Sequence, residues 1–244
     1  MEIRKAMLLA AGQSRRLGDL AGHLPKPMLP IGGRPLMEHT VRRLADAGVT
    51  DVMVNLHHQG GAIQEHFRDG SDFGLRMHYS HEPQLLGTAG GLRQCGGFFR
   101  GAPFFVIYGD NLTTCDLPAL AAHHERCQGI GTIALFWRDD VSAHSSVETD
   151  GATRITRFVE KPKPSEASSH WISAGIIVFE AAVLEKIPAT VPCDFGFDVF
   201  PGLLAGGEGL YGYRMTGSEG LWWIDTAEHY QRTQALWKQG APLG

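Results

Sequence analysis

The sequence predicts an α/β protein: a mixed, mostly parallel sheet flanked by helices, Rossmann-like in its winding. Strand-like and helix-like patterns alternate through the first half of the 244 residues. The first apolar run, Ala6 to Ala11, ends in a turn of small residues, Ala11-Gly12-Gln13-Ser14. After about Asp139 the pattern changes to shorter strands, which predicts a small β-rich portion folded beside the parallel sheet.

Each element has its own signal. Ala6–Leu9, Asp51–Leu56, Arg76–Tyr79 and Phe104–Tyr108 are apolar runs of strand length. Between them, Pro35 to Ala47 carries Leu36, Met37, Val41 and Leu44 at helical spacing and opens on a proline, a favoured first helical residue. Further helices are expected over about Gly61–Phe67, Ala89–Gly97 and Leu117–Arg126, then a strand over Gly131–Phe136. Ser145–Thr149 and Arg154–Val159 flank Asp150-Gly151, a strong hairpin dipeptide. A Pro/Ser-rich loop, Lys161–Ser169, leads into the apolar strand Ile172–Phe179. Helices are expected at Ala181–Lys186 and Val199–Ala205, strands at Leu210–Arg214 and Leu221–Ile224. The last helix, Thr226–Lys238, places Tyr230, Thr233, Leu236 and Trp237 on one stripe.

The bulk properties narrow the function. Apolar residues make up 43% and charged residues 20%, as in an ordinary globular enzyme. A net charge of −4 lacks the basic surface that general nucleic-acid binding needs, so no nucleic-acid partner is expected and any anion site is local. Cys95, Cys115, Cys127 and Cys193 form no CxxC pair and read as reduced thiols. The N-terminal apolar run is too short to span a membrane and lacks a cleavage pattern; a cytoplasmic protein without a membrane partner is expected. No internal repeat or hexapeptide array is visible, and no β-helix domain is expected at this length. Residues 1–244 read as one domain, with a first half to about 138 and a second half, from about 139, folded over it.

The run MLLAAGQSRRLGDLAGHLPKPMLPIGG, Met7 to Gly33, concentrates the chemistry. A buried strand breaks into a tight loop with Arg15 and Arg16, and Lys26 follows between Pro25 and Pro27. Backbone N–H groups and fixed positive charge together suit a polyphosphate. Gly12 can equally be plain turn geometry, and Arg16 and Lys26 plain surface charge. Both prolines restrict the backbone, so Lys26 is expected outside any helix, projecting from a stiff loop.

LAAGQSRRLG…LPKPMLPIGGRPLM resembles the signature of the sugar-1-phosphate nucleotidyltransferases, in which L-A-A/G-G-x-G-T-R-L is followed by P-K-P-M/L. Matches continue at Leu86-Gly87-Thr88-Ala89-Gly90, Gly109-Asp110-Asn111, Phe158-Val159-Glu160-Lys161-Pro162, Ala174-Gly175-Ile176 and Asp225-Thr226-Ala227-Glu228. Ser14 replaces the second loop glycine and Arg15 the Thr/Ser after it. The form AGQSRR is also similar to the loop of the molybdenum-cofactor nucleotidyltransferases. The segments WISAGIIVFEAAVLEKIP and DFGFDVFPGLLA look most like the mannose-1-phosphate guanylyltransferase branch.

The resemblance implies the nucleotide-diphospho-sugar transferase fold and a role for each matched residue. Arg16 and Lys26 would be catalytic, on the β/γ- and α-phosphates. Leu9, Ala10, Ala11, Gly12, Arg15, Gly87, Thr88 and Ala89 would bind the nucleotide. Asp110 and Asp225 would hold Mg²⁺, which is content with two carboxylates plus waters and phosphates. Asn111, Glu160, Lys161 and Gly175 would bind the sugar phosphate.

Other readings stand beside these. Asp110 can be a turn or cap residue. Asp225 and Glu228 can form a capping box on the last helix. Glu160 and Lys161 can be an exposed loop ion pair. Glu82 is a weaker polar candidate. Ser173 stands where the family often has Asn. The adjacent His57 and His58 would point to opposite strand faces and read as surface or cap histidines. At least one of Trp222 and Trp223 reads as core packing, with sugar stacking as the other reading.

The implied reaction joins a nucleoside triphosphate and a sugar 1-phosphate, giving an NDP-sugar and pyrophosphate. GTP with a mannose- or heptose-type sugar phosphate is favoured. Uridylyl, cytidylyl or thymidylyl transfer to another sugar phosphate or phosphocholine is the alternative, as is a non-catalytic nucleotide-sugar-binding regulator. A molybdopterin acceptor is disfavoured by Glu160-Lys161 and Ser173-Ala174-Gly175. The sequence leaves a homo-oligomer open.

Overall fold

A computed structural model describes residues 1–12 and 24–238. In chain order the strands and helices are Lys5–Leu9 (β1), Pro30–Ile31 (β2), Arg34–Pro35 (β3), Leu36–Asp46 (α1), Asp51–Leu56 (β4), Gly60–Phe67 (α2), Arg76–His81 (β5), Thr88–Gln94 (α3), Phe104–Tyr108 (β6), Asn111–Thr113 (β7), Leu117–Cys127 (α4) and Gly131–Trp137 (β8). The remainder are Ser145–Thr149 (β9), Ile155–Glu160 (β10), Trp171–Phe179 (β11), Phe200–Ala205 (α5), Leu210–Arg214 (β12), Leu221–Trp223 (β13) and Ala227–Lys238 (α6). Seven strands join in the order β12-β8-β11-β6-β1-β4-β5. The pairs β1–β4, β4–β5 and β12–β8 are parallel, and β11–β8 is antiparallel. The predicted mixed, mostly parallel sheet with helices is therefore present.

The chain divides into two compact units that each draw on separated stretches. One comprises Met1–Ile3, Leu86–Val106 and Pro118–Thr216; the other holds the described residues of Arg4–Leu85, Ile107–Leu117 and Gly217–Gly244.

In the second of these units, Ala6, Met7 and Leu8 of β1 are fully buried, as a strand covered on both faces requires. Helix α1 buries Leu36, Met37, Val41 and Leu44, the residues that its spacing selects. The β2–β3 turn needs its two glycines. Gly32 and Gly33 both have positive φ, and a Cβ on Gly32 would collide with the Trp237 ring. Trp237 and Tyr230 of α6 pack with Trp222 on a cluster of Leu29, Ile31, Leu36, Leu112 and Ile224. Tyr230 Oη also donates to the Pro30 carbonyl at 2.8 Å. The last helix thus fixes the segment that follows Lys26, and Trp222 takes the core reading.

In the other unit, Phe179, Phe195, Phe200 and Phe158 form a chain of ring contacts, with centroids 5.5, 5.8 and 4.8 Å apart along it. The β9–β10 hairpin forms as expected, but its turn is longer than Asp150-Gly151 alone. Asp150 Oδ1 accepts N–H bonds from Ala152 and Arg154, both at 2.9 Å. The positive φ falls at Thr153, so the second strand starts at Ile155. Of the expected helices, Ala181–Lys186 is a 3-10 helix, whereas Val199–Ala205 forms as α5 from Phe200, preceded by a π-turn over Phe195–Val199. Helix α3 ends at Gln94, and Gly96–Phe99 follows as a 3-10 turn, where the Gly96-Gly97 pair disfavours α-helix.

Candidate active site

The loop after β1 starts from a fixed backbone. Leu9, Ala10 and Ala11 are buried, and Ala10 N–H donates to Asn55 Oδ1 at 2.8 Å. Asn55 in turn donates to Glu82 Oε1 at 2.7 Å, and both side chains are buried. Glu82, the weak candidate, therefore braces the residue that positions Ala10. His57 at the end of β4 donates from Nδ1 to the Glu82 carbonyl at 2.9 Å, a capping role. A Cβ on Gly12 would meet nothing within 4 Å. Ser14, Arg15 and Arg16 lie outside the described residues.

Three separated parts of the same unit then converge. Strand β6 runs out at Tyr108, and β7 pairs antiparallel with β13 in the register Asn111↔Trp223. That register carries Asp110, just before β7, toward Asp225, two residues past β13. Lys26 completes the group: Nζ donates to Asp110 Oδ2 at 2.7 Å and to Asp225 Oδ1 at 2.8 Å. Burial alone would lower the Lys26 pKa, but the two carboxylates more than offset it and hold the ammonium above its usual range.

Two expectations are corrected here. Lys26 does not project from a loop; it heads a 3-10 turn, Lys26–Met28, and is 5% exposed. Proline at the second position of such a turn is tolerated, because the first helical positions need no N–H partner. Asp225 is not the helix cap either. Thr226 Oγ1 accepts the His229 N–H at 3.2 Å, and Asp225 Oδ1 accepts from Lys26. Asn111 is buried beside Asp110.

The donor set suits a hard divalent cation. Asp110 and Asp225 offer two carboxylate oxygens aimed at one point, now the Lys26 nitrogen. Among the described residues, no group of three or more His, Cys, Asp or Glu side chains could hold a metal. Two carboxylates fit Mg²⁺, which draws its other ligands from water and phosphate, better than a metal needing a full protein cage.

The first unit gathers two further sets of predicted residues. Gly87 (φ +81°) opens α3, and a Cβ there would lie 2.4 Å from the Cys193 carbonyl oxygen. Ala89 and Gly90 donate to that same oxygen, each at 3.0 Å. Thr88 N–H and Oγ1 donate to Asp194 Oδ1 at 3.0 and 2.9 Å. The Gly-Thr-Ala-Gly turn is thus stitched to Cys193-Asp194 through its own N–H groups. Its sequence signal did not point to Asp194, which lies over a hundred residues downstream.

At the end of β10, Glu160 is part-buried and Lys161 exposed. Burial, with the charge of Asp194 adding to it and Lys161 opposing, pushes Glu160 up to about 7. A Cβ on Gly196 would lie 2.5 Å from Glu160 Oε2, so that glycine leaves room for the carboxylate. Lys161 Nζ lies 5.7 Å from the ring centroid of Phe197, which is 56% exposed. Gly175 (φ +70°) sits in a bulge of β11 between Ser173 and Ile177, where a side chain would be strained. Ser173 Oγ accepts the Gly175 N–H at 3.3 Å, which occupies it locally. Asn55, Asp194 and Phe197 were missed as contributors. Only Asn55, a polar residue in the apolar run Val-Met-Val-Asn-Leu, left a signal in the sequence.

The model of the nucleotidyl transferase family matches residues 5–238. The chain belongs to this family. Its relatives include the UTP–glucose-1-phosphate uridylyltransferase of Synechocystis sp., 35% identical over 95% of the chain. They also include the mannose-1-phosphate guanylyltransferase of Mycobacterium tuberculosis, 34% identical over 94%. The chain spans 62% and 63% of the lengths of these two nucleotidyl transferase relatives. A putative glucose-1-phosphate thymidylyltransferase from Bacillus anthracis, crystallised with sucrose, shares the fold. Its TM-score is 0.86 at 24% identity, over 96% of this chain and 95% of its own. HddC from Yersinia pseudotuberculosis superposes with a TM-score of 0.78 at 21% identity, over 96% and 99%. Among the described residues no helix is long and apolar enough to cross a membrane.

Proposed function

We propose that this chain transfers a nucleotidyl group from a nucleoside triphosphate to a sugar 1-phosphate, releasing pyrophosphate. The observation that carries the reading is the clasp of Lys26 by Asp110 and Asp225 in a member of this family. A buried ammonium held between two acidic side chains gives one place where cationic and metal-binding groups meet, as transfer between two polyanions demands.

In this reading the sugar phosphate oxygen attacks the α-phosphorus and pyrophosphate leaves in line. Lys26 neutralises charge developing on the α-phosphate, and Arg16 with Arg15 grips the outgoing phosphates. Leu9, Ala10, Ala11 and Gly12 line the nucleotide, braced by Asn55. Gly87, Thr88 and Ala89 hold the base and ribose side, with Asp194 fixing Thr88. Asn111, Glu160, Lys161 and Gly175 receive the sugar phosphate. Asp110 and Asp225 would hold Mg²⁺, which would supply positive charge to offset that of the phosphates. The reacting groups all sit on the substrates, so positioning and charge are what the protein supplies.

For the finer choice we favour GTP with a mannose- or heptose-type sugar phosphate. The guanylyltransferase relative and the segments around Trp171 and Asp194 support it. Uridylyl transfer is the second reading, supported by the uridylyltransferase relative at similar identity. The test is pyrophosphate release from the full chain with Mg²⁺ over a matrix of nucleoside triphosphates and sugar 1-phosphates. Asp110→Ala should lower turnover by about 10²–10³-fold while circular dichroism stays native. Silence of the wild type across the matrix, or full turnover in Asp110→Ala, refutes the reading.

A further inference from the structure

Lys26 holds the same two carboxylates that a divalent cation would need. Lys26 Nζ contacts Asp110 Oδ2 at 2.7 Å and Asp225 Oδ1 at 2.8 Å. Its side chain is 7% exposed, whereas the two carboxylates are 38% and 25% exposed. An ammonium and a dication bonded to one pair of oxygens would place three positive charges within a few ångströms against two negative ones. Around an ammonium that is itself largely shielded from water, such crowding is unfavourable. We propose that Lys26 is the resident counter-ion of this carboxylate pair, and that a divalent cation reaches Asp110 and Asp225 by displacing it. Displacement then delivers the ammonium to the anionic substrate. This rests on the nucleotidyl-transfer reading above.

The local construction suits an exchange of cations without a change of fold. The aspartates are brought together by backbone pairing of β7 with β13, so their approach does not depend on which cation they hold. Pro25 and Pro27 restrain the backbone on either side of Lys26, and Met28 N–H closes the turn on the Pro25 carbonyl at 2.8 Å. The mobile part is the four-carbon stem of the lysine, which can carry its compact charge through several ångströms while Cα stays fixed. Two adjacent carboxylates without a cation would repel each other, so the lysine keeps the pair in place until the exchange.

The test uses the full chain with Mn²⁺ alone and no nucleotide. Mn²⁺ binding is read by electron paramagnetic resonance in the wild type and in Lys26→Met, which keeps the length and loses the charge. In parallel, amine acylation of wild-type Lys26 is followed by peptide mass spectrometry with and without Mn²⁺. The expected results are at least tenfold tighter Mn²⁺ binding in Lys26→Met and at least threefold faster acylation of Lys26 when Mn²⁺ saturates. Equal affinity in the two proteins, no Mn²⁺ binding to either, or unchanged acylation overturns the proposal. The acylation arm needs no variant, so a folding defect in Lys26→Met does not blunt it. Pyrophosphate release is scored separately: an active wild type with unchanged acylation sinks the exchange and leaves the transfer reading standing. Displacement without turnover does the reverse.

Discussion

Glu160→Gln should make the protein more stable at pH 8 and leave it nearly unchanged at pH 4.5. Glu160 has a folded pKa of about 7 against an ordinary value of 4.5. Below 4.5 it is protonated in both states and contributes no penalty. As pH rises from 4.5 to 7 the unfolded chain loses the proton while the folded chain keeps it, so stability falls; above 7 the loss is complete. A shift of that size corresponds to at most about 3.4 kcal/mol. Glu160 is only part-buried, so solvent screening reduces the expected effect to about 2 kcal/mol. Glutamine keeps the shape and the room left by Gly196 while removing the charge. Equilibrium urea denaturation of both proteins at pH 4.5 and pH 8 measures it. The stability gain from the substitution should be about 2 kcal/mol larger at pH 8 than at pH 4.5. An equal gain at both values, or a larger one at the lower pH, refutes the argument.

Gly87→Ala forces positive φ on an L side chain and drives Cβ onto the Cys193 backbone. The strain and the weakened N–H bonds to Cys193 should together cost about 3–5 kcal/mol, read as a Tm lower by roughly 10 °C. At the other end of the pH scale, the Arg76 guanidinium holds Asp51 down at about 2. Its folded pKa lies below the ordinary 3.8, so its contribution is present above pH 4 and lost as pH falls toward 2. Arg76 is well exposed, so Asp51→Asn should cost only about 1 kcal/mol at pH 7, with most of that cost gone by pH 2, in thermal melts across that range.

Much of the fold was legible because burial and periodicity coincide. Strands β1, β4 and β6 are continuous apolar runs, and α1 shows its buried face at helical spacing, so one-dimensional patterns located them within a residue or so. Misreadings came where a side chain overrode backbone preference. Asp150 captured two N–H groups and lengthened a turn that the dipeptide Asp-Gly suggested would be tight. Thr226 took the cap that Asp225 and Glu228 seemed to offer. Of the site, residues whose type is unusual for their setting were visible: a lysine between prolines and an aspartate after a strand. Asp194 and Phe197 were not, because their parts in it come from contacts with Thr88 and Lys161 that lie far away in sequence.

Lys26 also shows why charge in this site cannot be read from exposure or from sequence position alone. Its two prolines suggested a projecting side chain, yet the lysine is among the few buried charged side chains of the described residues. The carboxylates explain the difference. Burying an ammonium alone is costly, and burying it between two acids that need a counter-ion offsets that cost for all three groups. The same balance means that whichever group is removed leaves the others uncompensated. Asp110→Ala therefore removes a candidate metal ligand and also loosens Lys26, and its effect on turnover should exceed the worth of either contact taken singly. A double-mutant cycle with Lys26→Met tests this. The two losses of turnover should combine to far less than their product, whereas independent residues would multiply.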